Sequence, residues 1–187
     1  SVLYPNDTTD AGKKLRLKQQ YFFASATIQD IIRTYKKRHG NDFNYFSSEY
    51  AVQLNDTHPV VAIPEFIRLM MENEGMTFAR ALKIAKETFA YTNHTIMAEA
   101  LEKWGINLFK AVIPNVYKYI VMIQKAMVKE LKGLGKVKEE ELKQYNIIDS
   151  GLIHMARLAI YASHSTNGVA QLHTEILKNN ALKEWYE

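Results

Sequence analysis

The 187-residue chain contains no cysteine. This excludes a disulfide scaffold, a cysteine nucleophile and thiolate metal sites, and it fits a reducing compartment. Glycine and proline are scarce, at eight and four residues, which rules out a collagen-like or low-complexity chain. No run of ~18 apolar residues occurs, so no transmembrane helix is expected. The opening Ser1-Val2-Leu3-Tyr4-Pro5 has neither the basic nor the apolar region of a secretory signal. A start inside an apolar-aromatic stretch reads as a chain cut from something larger. Neither charge sign dominates: 24 basic residues face 20 acidic ones, and the two are interspersed, so nucleic acid is not implied. The lysines between Lys125 and Lys143 alternate with Glu130 and Glu139–Glu141, the pattern of a solvated helical face. The six histidines (39, 58, 94, 154, 164 and 173) lack metal-ligand spacing, and no metal is expected.

What the chain does have is helical periodicity and enough apolar residues, 47%, for a self-sufficient core. A turn-rich loop at Tyr4–Asp10 precedes a long helix over about Gly12–Arg38. The apolar face of that helix is read as Leu15, Phe22, Phe23, Ala26, Ile28, Ile31 and Ile32. Asn44–Glu49 reads as loop. Tyr50–Leu54 is the best strand candidate, short and buried in character. Asn55, Asp56 and Thr57 are then expected to cap a helix running through Arg68 and Met71, with Pro59 in its first turn. A second helix, over Thr77–Thr88 and capped by Thr77, leads to a possible strand at Phe89-Ala90-Tyr91, a polar turn at Thr92–Thr95 and a short helix at Ala98–Lys103. Helical pattern resumes over Asn107–Lys132, with Pro114 in a first turn or at a kink. Lys132–Lys136 reads as a link, Glu139–Glu141 as a helix start, and Leu152–Tyr161, 168–178 and 181–186 as closing helices. The aromatics around Tyr21-Phe22-Phe23 and Tyr117–Ile123 read as core. The expectation is a mainly α chain with one or two short parallel strands and no interdomain linker.

Three polar segments follow apolar runs: Asn55–His58, Thr92–Thr95 and Ser163–Gly168. Polar clusters at strand C-termini are where open α/β sheets hold ligands, and amide, carboxylate and imidazole groups suit a polyhydroxylated one. Caps and turns prefer the same residues. On pattern alone both readings stay open.

The ordered runs Tyr4-Pro5-Asn6-Asp7, Leu15–Gln19, Gln29–Arg33, Gln53–Pro59, Ala62–Glu65, Ala90–Thr95, Glu99–Glu102, Ser163-His164, Asn167–Ala170 and His173–Lys178 resemble the glycogen/maltodextrin (starch) phosphorylase family over essentially the whole chain. The resemblance implies a much longer enzyme, a two-domain α/β glycosyltransferase fold with two Rossmann-like domains facing a cleft. That enzyme uses pyridoxal phosphate and inorganic phosphate to release glucose 1-phosphate from an α-1,4-glucan. This chain, residues 1–187, would be the later part of the N-terminal domain. The coenzyme-binding C-terminal domain and its lysine would be absent, so the piece alone is expected to bind no coenzyme and to be inactive. A cytoplasmic homodimer is expected.

Carried over residue by residue, Asn6 and Asp7 resemble a gate loop, and Asp56 and His58 resemble lining of the active site. His94, beside Asn93, resembles the residue whose carbonyl and side chain meet the glucosyl unit. Glu99 and Glu102, three apart on one helical face, resemble residues edging the same pocket. Arg16 resembles another pocket-side residue, and Val169 the wall near the sugar 6-hydroxyl. Thr8 stands where animal members have Asn. After Asp30-Ile31-Ile32 the chain has Arg33-Thr34 where regulated animal members have two arginines. A lone Arg cannot form the same anion clamp, so effector activation is not expected. The alternatives from other classes are a stand-alone helical carbohydrate-binding or interaction module and, against the interspersed charge, a nucleic-acid binder.

Overall fold

In the computed structural model, which describes residues 6–95, 97–135 and 138–168, the Thr9 hydroxyl accepts the Gly12 N–H at 3.1 Å and starts helix α1 (Asp10–His39). Gly40, at φ 56°, supplies the left-handed stop. After the short α2 (Phe46–Glu49), strand β1 (Val52–Asn55) leads through a series of turns into α3 (Ala62–Glu72). Thr77 caps α4 (Phe78–Thr88), which passes directly into β2 (Phe89–Asn93). A 3-10 turn at Ala98–Ala100 precedes β3 (Lys103–Gly105), α5 (Ile106–Val112) and α6 (Pro114–Gly133). The last elements are α7 (Glu139–Leu142), β4 (Ile148–Asp149), β5 (Leu152–His154), α8 (Met155–Tyr161) and β6 (Ser165–Gly168).

Helix α3 is the centre of the helical layer. Ala62, Ile63, Pro64, Phe66, Ile67, Leu69 and Met70 are all buried, as expected for a helix covered nearly all round. Its neighbours are α1, α4 and α6. Tyr35, Phe43, Phe46, Phe66 and Phe89 continue the core as a chain of ring contacts at 5.1–5.9 Å, from α1 across α2 and α3 to β2. Pro114 occupies the first position of α6, and Ile113 before it leaves the helical region at φ −136°, ψ 64°. The proline therefore divides the expected 107–132 helix in two.

Two three-stranded sheets form among the described residues. In the first, β2 lies between β1 and β6 and all three are parallel, with Leu54 opposite Tyr91 and Tyr91 opposite Thr166. Leu54, Phe89, Tyr91 and Asn93 are buried on one face, while Gln53 and Asn55 on the other meet solvent. The second sheet, β3-β5-β4, is antiparallel. Ser150 and Gly151 both have positive φ, 51° and 76°, the geometry that closes a two-residue hairpin between β4 and β5.

Several expectations are corrected. Among the described residues the parallel strands number three rather than one or two, and an antiparallel sheet accompanies them. The strand expected at Tyr50–Leu54 is β1, shifted to Val52–Asn55, and open to solvent on one face. Asn55, Asp56 and Thr57 cap no helix: α3 begins only at Ala62, beyond Pro59, with no side-chain cap. Thr92 and Asn93 belong to β2, Asn44–Glu49 contains α2, and Leu152–His154 is strand. Gly133 still belongs to α6 and Gly168 ends β6. On α1 the packed stripe is Leu17, Ala24, Ser25, Ile28, Ile32 and Tyr35, whereas Leu15, Phe22, Phe23 and Ala26 are exposed. Phe22 and Phe23 are 68% and 62% exposed and are not core. The helices expected beyond Gly168 lie outside the described residues. Among the described residues no helix is long and apolar enough to cross a membrane.

Candidate functional site

The carboxyl ends of β1, β2 and β6 converge on one edge of the parallel sheet, the edge at which such sheets hold ligands. Asp56 follows β1 at φ 64°, a left-handed conformation that Asp tolerates better than most residues. Its N–H donates to the Thr92 carbonyl at 2.7 Å. Its carboxylate accepts from the Thr57 N–H at 2.8 Å and from the Thr95 hydroxyl at 3.3 and 3.4 Å. Asn93, buried at the end of β2, accepts the Thr95 N–H at 2.8 Å. Thr95 thus ties the loop after β1 to the loop after β2. On the open face, Gln53 donates to Thr92 at 2.8 Å and Thr92 to Asn167 at 2.5 Å, a polar chain across all three strands.

A second polar group gathers around the first turns of α1. Asn6 accepts the Thr8 N–H at 3.0 Å, a local turn that brings Asp7 toward the helix. Gly12 makes the approach possible, because a Cβ there would sit 1.7 Å from the Asn6 carbonyl oxygen. Asp7 pairs with Arg16 at 2.8 Å, and Arg16 pairs with Glu102 at 3.1 Å. Glu102, its side chain 7% exposed, also accepts from Gln20 at 3.3 Å and from the Trp104 indole N–H at 3.2 Å. The Arg16 guanidinium lies 4.7 Å from the Trp104 ring centroid. The outer pair with Asp7 is exposed and energetically minor; the inner pair, stacked and hydrogen-bonded, fixes both side chains. A cleft of about 780 Å³ opens beside it, lined by Asp7, Lys13, Lys14, Arg16, Lys103 and Trp104 among others. A second cleft, about 470 Å³, lies between α1 and α3, where Lys36 is paired with Glu74 and Arg33 with Asp30.

The phenol of Tyr91 links the two groups electrostatically. Burial, then the negative charges of Asp56 and Glu102, push it well above the ordinary tyrosine range.

Of the residues singled out from sequence, the structure brings Asp7, Arg16 and Glu102 into one ion-pair chain, with Asn6 shaping its loop. Asp56 and Asn93 meet through Thr95. His58, His94 and Glu99 are exposed, and among the described residues no hydrogen bond or ion pair joins them to either group. The expected pairing of Glu99 with Glu102 on one helical face fails, because the turn ends at Ala100 and Glu102 lies beyond it. Val169 lies outside the described residues. Sequence reasoning passed over Gln20, Trp104, Tyr91 and Gly12. Only Gln20 carried a signal, four residues from Arg16 on the same helical face. Tyr91 reads only as part of a candidate strand, and nothing in the pattern marks Trp104 as a site residue.

A helical layer thus packs on a small parallel sheet whose carboxyl edge carries carboxylate and amide groups, which are able to hydrogen-bond a polar molecule. Residues 1–187 match the family model described as carbohydrate phosphorylase, and the chain belongs to that family. It is 44% identical over 185 residues to the alpha-glucan phosphorylase H isozyme of Vicia faba, covering 96% of this chain and 22% of that protein. It is 45% identical over 190 residues to glycogen phosphorylase 2 of Dictyostelium discoideum, covering 100% and 19% respectively. With the brain form of glycogen phosphorylase from Ovis aries the identity is 40% over 196 residues, covering 100% and 23%. The chain therefore spans about a fifth of the length of the curated relatives it matches.

Proposed function

We propose that this chain is part of an α-1,4-glucan phosphorylase, a glycosyltransferase that releases glucose 1-phosphate from glycogen or maltodextrin with inorganic phosphate. The observation that carries the proposal is the polar carboxyl edge of the sheet, where Asp56 and Asn93 are tied through Thr95, in a member of the carbohydrate phosphorylase family. In the reaction a phosphate oxygen bonds to C1 of the terminal glucose as the C1–O4 bond breaks. The shortened glucan leaves with a proton on its freed 4-oxygen. Positive charge develops at the sugar ring on the way, so fixed dipoles and carboxylates at this edge have a charge to stabilise.

In this reading His94, Asp56 and Asp7 act at the catalytic centre. His94 offers its carbonyl dipole and imidazole, and Asp56 and Asp7 orient their neighbours. Asn6, Arg16, His58, Asn93, Glu99, Glu102 and Val169 contact the sugar or edge its pocket. Arg16 and Glu102 offset each other's charge, so they present directional groups to a neutral sugar. The whole protein has the two-domain α/β glycosyltransferase fold, with this chain as the later part of its Rossmann-like N-terminal domain, and it works as a cytoplasmic homodimer.

Pyridoxal phosphate, implied for the whole enzyme by the resemblance, does not fit the described residues. The coenzyme needs a lysine amine directed into a pocket. Only Lys36 and Lys86 among the described lysines are even half-buried, and each is ion-paired, to Glu74 at 2.7 Å and to Glu130 at 3.4 Å. The lysine belongs to another part of the protein. Nor do the described residues offer a two-arginine anion clamp at Arg33, which pairs with Asp30 beside the exposed Thr34. AMP is therefore expected to leave activity unchanged, and clear activation would overturn that point.

The test is phosphorolysis of maltoheptaose by the full-length protein with pyridoxal phosphate and inorganic phosphate, read as glucose 1-phosphate. The full-length protein should produce it and the 187-residue chain should not. A loaded full-length protein that yields none refutes the reading, and activity from the 187-residue chain refutes the placement of the coenzyme lysine.

A further inference from the structure

Helix α1 carries no charged residue from Gln19 to Gln29, about three turns, although charged side chains crowd both of its ends. One side of that run packs inward through Ala24, Ser25 and Ile28. The other side presents Phe22 and Phe23 to solvent, their rings edge to face at 5.7 Å, with the exposed Ala26 one turn on. Leu15, also exposed, extends the stripe two turns toward the start of the helix. Polar side chains of the run are already paired inside the protein. Gln20 donates to Glu102 at 3.3 Å, Tyr21 and Ser25 donate to Glu65, Gln29 donates to Ser25 at 2.9 Å, and the Thr27 hydroxyl donates back to the Phe23 carbonyl at 2.8 Å. Covering the outward face would strand none of these five. A helix face that meets water carries charged and polar residues, whereas one apolar on both sides is built to be covered on both.

We propose that the outward face of α1 is an interface within the full-length polypeptide, seated against the part of the N-terminal domain that precedes this chain. The choice of occupant rests on the reading of residues 1–187 as the later part of that domain. The chain spans about a fifth of the length of its curated relatives, so the greater part of such a protein lies outside it. A second copy is a poorer fit. Two phenylalanines about two-thirds exposed, with a half-covered leucine, offer on the order of 300 Å² of apolar surface, against roughly 800 Å² per partner in a stable dimer. A segment of the same polypeptide needs no such area, because tethering removes most of the cost of association. The coenzyme-bearing domain is a poorer fit as well, since contacts between domains are more polar than a stripe without charge. The covering segment then clamps α1 from outside as Glu65 holds it from inside, and α1 is the helix that positions Arg16.

The test uses the full-length protein. Hydroxyl-radical footprinting of the unmutated protein should show Phe22 and Phe23 modified more than about fivefold more slowly than in urea, because a close-packed interface excludes the radical. A smaller protection overturns the proposal, and so does protection that disappears on dilution to the monomer, which would mean a second copy. The photo-cross-linker p-benzoylphenylalanine in place of Phe23 then identifies the neighbour. Irradiation should give cross-links within one polypeptide, to peptides that precede residue 1. Cross-links between two polypeptides, or to peptides beyond residue 187, overturn the proposal. Should that variant fail to fold, the same probe in place of Leu15, at the margin of the stripe, reads the same neighbour. A full-length protein inactive in phosphorolysis would refute the functional reading alone, since neither readout depends on turnover.

Discussion

Glu65 anchors the helix that carries Arg16, and its removal gives the sharpest test of how α1 is held. The side chain is fully buried on α3 and accepts four hydrogen bonds: Tyr21 hydroxyl at 3.0 Å, Ser25 hydroxyl at 2.9 Å, and Arg68 Nε and Nη2 at 2.8 and 2.7 Å. The bidentate bond to Glu65 pushes the Arg68 guanidinium further above its ordinary range. Glu65→Ala strands a mostly buried cation and two hydroxyls. Breaking a buried pair in this way costs roughly 3–5 kcal/mol; because Arg68 retains Glu72 at 3.0 Å, the expectation is the lower end, ~3 kcal/mol. The double change Glu65→Leu, Arg68→Met removes both charges, and its cost should be at least 1 kcal/mol smaller than that of Glu65→Ala. Urea denaturation of the 187-residue chain at pH 7, followed by circular dichroism, measures both. A Glu65→Ala loss below about 1 kcal/mol would refute the claim that this carboxylate is the anchor. Arg16 lies nine residues from Ser25, about 14 Å along the same helix, so loosening this anchor should also loosen the Arg16–Glu102 pair.

Two further perturbations test other parts of the structure. Gly12→Ala would add up to about 1 kcal/mol of helix propensity in an open helix, but here its methyl would strike the Asn6 carbonyl. The melting temperature should therefore fall and the Asp7–Arg16 pair open; an unchanged or higher value contradicts the close approach. His154 is held down to about 4 by burial, with Arg157 and Lys103 adding to the effect. Its folded value lies below the unfolded one of about 6.5, so its contribution to stability is complete above pH 6.5. That contribution is lost as the pH falls from 6.5 toward 4. After discounting for the ring's partial exposure, the loss is on the order of 1–2 kcal/mol. A His154→Gln variant should show a flatter stability profile over that window, and an identical slope would count against the assignment.

The parts of the fold legible in the sequence were those with a local signal strong enough to survive packing. Thr77 announces α4 by its capping hydroxyl, and the apolar runs before Asn55 and Thr92 announce two of the three parallel strands. The antiparallel sheet gave no such signal. Its strands are two or three residues long, and the mostly apolar stretch Leu152–Tyr161, interrupted by His154 and Arg157, gives its first three residues to β5 and its last seven to α8 without a periodicity that marks the change. On α1 the difficulty was different. The helix carries one apolar stripe through Leu17, Ala24, Ile28 and Ile32 and another through Leu15, Phe22 and Ala26, and periodicity cannot rank them. What decides is polar: Tyr21 and Ser25 face inward because Glu65 on α3 needs their hydroxyls, and that rotation turns Phe22 and Phe23 outward. The exposed aromatic pair thus follows from a buried carboxylate forty residues away in sequence.

The same logic explains why the candidate site was readable as a set of residues but not as a geometry. Asp7, Arg16 and Glu102 come from a loop, a helix and the connection between β2 and β3, and no spacing rule joins them. Each is placed by something that carries no chemistry of its own: Asp7 by a glycine that admits the Asn6 carbonyl, Arg16 by the Glu65 anchor, Glu102 by Gln20 and the Trp104 indole. Polar groups at a sheet edge are common, because turns favour them. Groups whose partners are each fixed by a separate buried interaction are less so, since every such restraint limits which sequences fold. That distinction favours a ligand site over ordinary turn chemistry at this edge, and it makes Gly12, Glu65 and Trp104 as informative to mutate as the residues that would touch a sugar.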